Sequence, residues 1–270
     1  MEALKSTATS MGARVAKLNE EVATGKRINR PSDDPGRISQ LHNVRQELAN
    51  QNVYQKNAGQ AEQLLNVADT ALKDMHGTLT QARELAVQYA NEVYDAGQRD
   101  DATGVVDTLF DQALSGANTK FNERYIFAGT AYDSEAYNAA GTYMGSSDDP
   151  DTVVADGMNV KTGFAGSSLL TNSSDMFVAM DNLRTALETD DTAGIISALD
   201  DIDASLEDIE RGMVEVGGQM RRTFDAQDLA SNLGVELKAA QANIEETNVV
   251  DAYSKLMRLQ TNFDAAMQVT

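Results

Sequence analysis

Apolar side chains in the first 22 residues alternate at intervals of four and three positions. The stripe consists of Leu4, Ala8, Met11, Val15, Leu18 and Val22. This spacing is typical of a coiled-coil helix, in which one apolar seam faces a partner. Because a single helix of this length is marginally stable in water, the seam needs a second helix against which to pack. The sequence therefore predicts a helical protein whose N-terminal segment is paired.

A second apolar seam lies at the C-terminal end of the chain. Its members are Val249, Tyr253, Leu256, Phe263 and Met267, with Gln260 as a polar position in the series. Neither end of the chain contains another seam that could cover its own, so we expect the two terminal helices to pair with each other. Apolar surface that the pair leaves exposed would form an assembly seam for helix packing between subunits.

Further helices are predicted between the two ends. A long second helix covers residues 35–91, a turn follows at 95–101, and a third helix covers 102–117. A short helix over 176–187 precedes a last long helical region, which begins after Asp191. Helices of this length exceed the average of globular proteins and favour a rod or a bundle.

Two adjacent glycines interrupt the last long helical pattern. Gly217 and Gly218 each cost about 1 kcal/mol relative to alanine inside a helix. We interpret the pair as a sign of close approach by another helix or of a local bend. The apolar periodicity resumes after them, so the sequence predicts helix on both sides.

Helical periodicity disappears between residues 131 and 175. Two short segments, 152–155 and 158–161, flank an Asp-Gly dipeptide, which is a strong signal for a two-residue hairpin turn. Just upstream, residues 125–128 have strand propensity. The acidic residues near position 150 lack the glycine and the distal glutamate of an EF-hand, so we expect no metal site and no cofactor.

These patterns predict a fold class that is mainly α with a small β insertion. The expected architecture is an elongated helical rod or bundle with paired N- and C-terminal coiled-coil helices and a β-rich tip domain. We divide it into terminal helices (1–30 and 245–270), a helical rod core (31–125 and 176–244) and an outer β-rich insertion (126–175).

Composition excludes several functional classes. The net charge is −20, and residues 131–210 contain 17 Asp and Glu against Lys161 and Arg184, so nucleic acid is an unsuitable partner. The absence of cysteine excludes disulfides and thiolate metal sites. The sequence contains no nucleophile elbow, phosphate loop or metal-ligand spacing, so we predict that the protein is not an enzyme. No apolar run has the length of a membrane span, and the start MEALKSTATS is not a Sec signal peptide.

The segment 25–35, GKRINRPSDDP, separates the first two helices and holds two of the three prolines. Gly25 is suited to end the first helix because glycine adopts the left-handed conformation without a steric clash. Asp34 is predicted to cap the second helix, with Pro35 at its first position, where a missing N–H is tolerated. The alternative caps are Ser32 and Asp33.

Charges on this connector suggest a link to the opposite end of the chain. Two glutamates precede the C-terminal helix, and we hypothesise that they pair with connector cations, namely Lys26, Arg27 or Arg30. Pro31 additionally forces the residue before it into an extended conformation. The residues predicted to form the connector site are Gly25, Arg27, Arg30, Pro31, Asp33, Asp34, Pro35, Glu245 and Glu246.

Several phrases of the sequence resemble the bacterial flagellin family. They include GKRINRPSDDP at 25–35, QARELAVQYAN at 81–91, YIFAGT at 125–130 and NIEETNVVDAYSKL at 243–256. RP before SDDP, the ending YIFAGT and the small insertion are most similar to the members that join hook and filament. The sequence departs from the family pattern at Glu123, where a glycine is usual, and members usually extend further at both ends.

The resemblance implies an exported structural protein of the bacterial flagellum. Its partners would be flagellin, the hook-side junction protein, further copies of itself in a ring, and a flagellar export chaperone. Its location would be extracellular, at the hook–filament junction, reached through the flagellar type III apparatus without a Sec signal peptide. A filament flagellin subunit is the alternative, since it shares the paired termini. A chemoreceptor-like coiled coil would need a membrane span or a uniform heptad register.

Overall fold

The computed structural model of the protein describes residues 2–91, 93–170 and 173–268, with side chains from residue 9 to residue 265 of those ranges. Helices dominate and strands are few and short, so the predicted fold class, mainly α with a small β insertion, is confirmed. The helices are α1 (Glu2–Thr24), α2 (Pro35–Tyr89), α3 (Ala96–Ala117), α4 (Gly166–Leu169), α5 (Met176–Glu188), α6 (Thr192–Glu245) and α7 (Val249–Gln268). The strands are β1 (Lys120–Phe121), β2 (Arg124–Tyr125), β3 (Asp151–Ala155) and β4 (Met158–Lys161). No described helix is long and apolar enough to cross a membrane.

The chain forms two compact units. The first unit comprises Met1–Val53 and Ala230–Thr270, and the second unit comprises Tyr54–Leu229. The sequence-based division into terminal helices, rod core and outer insertion stays a prediction.

The core of the second unit is built on one face of α2. Alanine alternates there with leucine and methionine, from Ala58 through Leu65, Leu72 and Leu79 to Ala86, and these side chains are fully buried. The small alanines let the neighbouring helices approach closely, while the longer side chains fill the space between them. α3 and α5 pack against each other beside this face, and Ile195, Ile202, Ile209 and Val216 of α6 complete the core.

The N-terminus of α3 differs from the prediction. The sequence predicted a turn over 95–101, but α3 begins at Ala96. Asp95 caps it by accepting a hydrogen bond from the backbone N–H of Gln98 (2.9 Å), and the Gln98 side chain accepts one from the N–H of Asp95 (3.1 Å). This capping box satisfies two donors that a helix N-terminus otherwise leaves free, so helix is favoured over turn.

The glycine pair in α6 has no packing role among the described residues. α6 continues unbroken through Gly217 and Gly218. A Cβ atom added at either glycine would meet no other atom within 4 Å. Close approach by another helix of this chain therefore does not account for the pair.

The insertion contains the predicted hairpin. β3 and β4 pair antiparallel around Asp156 and Gly157, and Gly157 has the positive φ (68°) that the turn requires. A β-bulge between Val153 and Ala155 shifts the register. Of the strand predicted over 125–128, only Tyr125 lies in a strand. The carbonyl of Ile126 accepts the N–H of Phe164 at 2.8 Å, and Ala128 forms an isolated antiparallel β-bridge with Ala165.

The hairpin of β1 and β2 places a non-glycine residue in the left-handed region. Asn122 and Glu123 form its turn with φ values of 48° and 63°. This turn favours glycine or asparagine at both positions, so Glu123 is strained.

We therefore expect Glu123→Gly to raise the free energy of unfolding of the second unit by about 1 kcal/mol. Chemical denaturation of the variant and the natural chain would measure the difference. Glu123→Ala is the matched control, because it removes the carboxylate and keeps Cβ, and it should bring no comparable gain. Equal gains from both variants would attribute the effect to charge rather than to the backbone.

Candidate assembly interface

The two terminal helices, α1 and α7, pair antiparallel within the first unit. At one end, a Cβ atom at Gly12 would lie 3.8 Å from Cε2 of the Phe263 ring. At the other end, the backbone N–H of Thr247 donates to the carbonyl of Gly25 at 3.0 Å. The predicted pairing of the chain ends is thus present, while the supercoil of a coiled coil stays a prediction.

The pair covers its apolar side chains unequally. On α7, Ala252 and Leu256 are buried, whereas Val249 and Tyr253 keep 44% and 52% of their surface exposed. Tyr253 therefore lies outside the buried face, and Ala252 takes the position expected for it. On the described part of α1, the seam side chains are only half-buried: Met11, Val15, Leu18 and Val22. The side chains of Leu4, Ala8 and Met267 lie outside the described residues.

The connector begins and ends as the sequence predicts. Gly25 has a φ of 71° and donates its N–H to the carbonyl of Glu21 at 2.9 Å, which ends α1. α2 begins at Pro35, and Oδ1 of Asp34 accepts the N–H of Arg37 at 3.1 Å. Asp34 is therefore the cap of α2. Pro31 is exposed between these two points.

Asp33 stabilises the connector instead of capping a helix. Its Oδ2 accepts the backbone N–H groups of Asn29 (3.0 Å) and Arg30 (2.8 Å). The Arg30 N–H is the main reason that the pKa of Asp33 lies below its usual value, and Lys17 contributes through an ion pair of 3.5 Å. The carboxylate thus fixes the backbone between the two helices.

A short antiparallel contact joins the connector to the end of α6. We call it the clasp, and it consists of residues 25–28 and 244–247. Lys26 and Glu246 form a β-bridge, and the Arg27 N–H donates to the carbonyl of Glu245 at 2.7 Å. The Arg27 guanidinium donates to the carbonyl of Ile244 at 2.9 Å, which satisfies one of the last carbonyls of α6.

The Glu245 carboxylate lies at the centre of the clasp and is 3% exposed. It forms ion pairs with Lys26 and with Arg45, the latter at 3.0 Å, and it accepts a hydrogen bond from Gln241 at 2.9 Å. Burial alone would raise its pKa, but the hydrogen bonds from Lys26, Gln241 and Arg45 outweigh burial and lower the pKa to about 2. The carboxylate is therefore charged and paired at neutral pH.

These contacts refine the predicted charge pairing. Lys26 pairs with Glu245 as the hypothesis allowed, but Arg27 bonds to backbone carbonyls and Arg30 pairs with Glu20 at 3.4 Å. Glu246 is exposed and joins the clasp through its backbone. Sequence reasoning missed Arg45, which reaches Glu245 from α2. The sequence around Arg45 contains no motif that would have predicted this ion pair. Sequence reasoning also missed Gln241, although its four-residue spacing from Glu245 was visible.

The described residues contain no group of three His, Cys, Asp or Glu side chains that could hold a metal ion. What the arrangement provides is a fixed pair of terminal helices with half-covered apolar surface. The N-terminal half of the chain, residues 1–132, matches the model of the bacterial flagellin N-terminal helical region. Over these residues the chain is that of the bacterial flagellin family.

Relatives in this family include both filament and hook-associated proteins. Flagellin FlaB1 of Treponema pallidum is 26% identical, with 87% of this chain and 80% of that protein covered. Flagellar hook-associated protein 3 of Salmonella typhimurium is 24% identical, with 90% of this chain and 83% of that protein covered. Flagellins and hook-associated proteins are structural, so this member of the flagellin family is a structural flagellar component and not an enzyme.

A solved structure within the family has a similar fold. FlgL of Bacillus cereus matches with a TM-score of 0.65 and 25% identity, covering 74% of this chain and 99% of that one. FlgL is a name for hook-associated protein 3. The fold of this chain is therefore that of a FlgL protein over nearly the whole length of the solved structure.

Proposed function

We propose that this flagellin-family protein is a junction subunit of the bacterial flagellum, lying between the hook-side junction protein and the first flagellin subunits. The observation that carries the proposal is the clasped pair of terminal helices, whose apolar stripe on α1 is only half-covered. Half-covered apolar seams at helix pairs favour packing against further helices. A junction subunit needs such a surface because it contacts other helical subunits on two sides.

The fold favours the junction role over the filament role. Sequence identity alone does not separate the two, since FlaB1 and hook-associated protein 3 match this chain almost equally. The coverage of nearly all of the Bacillus cereus FlgL structure supports the junction role, as do the phrases RINRPSDDP and YIFAGT and the small insertion. A filament flagellin subunit is the second candidate.

Assembly and export follow from the same surface. We infer that copies of the chain form a ring through the seam residues of α1 and α7. Before assembly, the half-covered seam would need a flagellar export chaperone to cover it, because exposed apolar surface promotes aggregation. We place the working protein outside the cell, after export through the flagellar type III apparatus.

Deletion of the gene in its host tests the proposed role. A junction subunit is required for attachment of the filament, so the cells should carry hooks without filaments and should release flagellin into the medium. Restoration of the gene should restore filaments. If the chain were the filament subunit, deletion would remove both the filament and the released flagellin, which immunoblotting of the medium would reveal.

A further inference from the structure

The net charge of the protein belongs entirely to one of its two units. The first unit contains 11 Lys and Arg and 11 Asp and Glu, whereas the second contains 11 Lys and Arg and 31 Asp and Glu. Copies of the second unit therefore repel one another wherever they are brought together. Any close assembly of this chain needs positive charge to offset that repulsion.

The first unit concentrates positive charge in a groove between α1 and α7. The groove has a volume of about 490 Å³. Four cations line it, two from each helix, and its apolar lining comes from Leu18 and Leu259. We call it the basic groove, and its cations are Arg14, Lys17, Lys255 and Arg258. Glu21 is the one carboxylate among the described residues that line it.

The cations of the basic groove are available to a partner. Lys17 pairs with Asp33 at 3.5 Å and Lys255 with Asp251 at 2.7 Å, but both lysines keep about half or more of their surface exposed. Arg14 and Arg258 are exposed and form no ion pair with any residue whose side chain is described. Two free guanidinium groups beside apolar side chains suit carboxylates carried on a partly apolar helix.

In the second unit, α6 carries a stripe of carboxylates with apolar side chains at its ends. Carboxylates recur at helical spacing along its outer face, and exposed apolar side chains lie at both ends, with Ile196 50% and Val214 77% exposed. Within the stripe, Asp203 pairs with Arg83 at 2.5 Å and Glu210 lies 3.4 Å from His76. Asp200 and Glu207 are exposed and form no ion pair with any described side chain. We call it the acidic stripe, and it consists of Ile196, Asp200, Asp203, Glu207, Glu210 and Val214.

We propose that the basic groove of one copy binds the acidic stripe of a second copy. The inference rests on the proposed role in flagellar assembly and names the contact between neighbouring subunits. Guanidinium groups of the groove meet carboxylates of the stripe, and Asp200 and Glu207 are the two carboxylates that have no ion pair with a described side chain. The same contact offsets the repulsion between acidic units, so charge complementarity selects the partner.

Cysteine cross-linking tests the contact directly, because the natural chain contains no cysteine. Two copies with different tags are expressed in the host that lacks the gene, one carrying Arg258→Cys and the other Glu207→Cys. Isolated flagella are treated with a short bismaleimide. The expected result is a covalent species that carries both tags. The matched control replaces Arg258→Cys by Lys238→Cys, which is an exposed cation of the first unit outside the groove, and should give no such species.

Charge reversal provides a second readout. Arg14→Glu combined with Arg258→Glu should lower incorporation of the chain into flagella by about tenfold, and Asp200→Lys with Glu207→Lys in a co-expressed copy should restore it. A cross-link that fails to form in flagella containing both tags would overturn the inference and leave the junction role intact. Reversal that is not rescued would also overturn it, since another acidic partner would then occupy the groove. Absence of both tagged chains from flagella would contradict the junction role itself.

Discussion

Glu245→Gln should lower the free energy of unfolding of the first unit by about 2 to 3 kcal/mol. The carboxylate is buried and holds its two cations and Gln241 together, and its pKa of about 2 reflects that stabilisation. Glutamine has the same shape but no charge, so the ion pairs with Lys26 and Arg45 are lost. The cations are about half exposed and regain water, which keeps the expected loss below that of a fully buried pair.

Hydrogen exchange of the clasp amides measures this effect where it arises. The N–H groups of Arg27 and Thr247 donate across the clasp, so both should exchange faster in the variant. Glu246→Gln is the matched control because Glu246 is exposed and contributes through its backbone; its effect should stay within about 0.5 kcal/mol. Equal effects of the two substitutions would contradict a special role for the buried carboxylate.

The same carboxylate gives the first unit an acid-dependent stability. The pKa of Glu245 is about 2 in the folded protein and 4.5 as its ordinary value, so folding favours the charged form. Its contribution is therefore complete above about pH 4.5 and is lost as the pH falls toward 2. Denaturation curves should show a steeper loss over this range in the natural chain than in Glu245→Gln. Parallel pH profiles would show that Glu245 gains nothing from its partners.

Gly129→Ala should destabilise the second unit by about 3 kcal/mol or more. Gly129 lies in the phrase YIFAGT and has a φ of 61°, which disfavours any residue with a Cβ atom. A Cβ atom there would lie 2.4 Å from the carbonyl oxygen of Ser146 and 2.7 Å from that of Asp148. Because both neighbours are backbone atoms, relief would require residues 146–148 to move away from Gly129, or Gly129 to give up the hydrogen bond that its N–H donates to the carbonyl of Phe164 at 3.0 Å.

Gly104→Ala is the matched control for this substitution. Gly104 is exposed in α3, and a Cβ atom there would meet no described atom within 4 Å. Alanine at this position should raise the free energy of unfolding by about 0.5 to 1 kcal/mol, since it is the better helix former. Thermal or urea denaturation would compare the two variants. A Gly129→Ala protein as stable as the natural chain would show that the insertion is not fixed at this point.

Local patterns in the sequence were sufficient for much of the fold. The terminal helices, the bounds of α2, its cap at Asp34 and the hairpin at Asp156 and Gly157 follow from spacing and turn chemistry between near neighbours. The start of α3 could also have been predicted from the sequence, because Asp95 and Gln98 have the spacing of a capping box. It was missed because the same polar residues also favour a turn.

The candidate site depended on contacts that spacing does not encode. Arg45 contacts Glu245 only because α2 and the end of α6 come together in the first unit. The sequences that flank these two residues contain no pattern that predicts the ion pair. The burial of Ala252 in place of Tyr253 depends on how α7 is rotated against α1. A heptad pattern fixes that rotation only within about one position when apolar residues occur at neighbouring places.

Immunogold electron microscopy of intact flagella tests the central claim most directly. The antibody would be raised against the insertion, residues 131–175, which differs in sequence from the helical regions that flagellins share. A junction subunit should give gold particles confined to a narrow band where the hook meets the filament. Gold along the whole filament would contradict the junction role and identify the chain as a flagellin subunit.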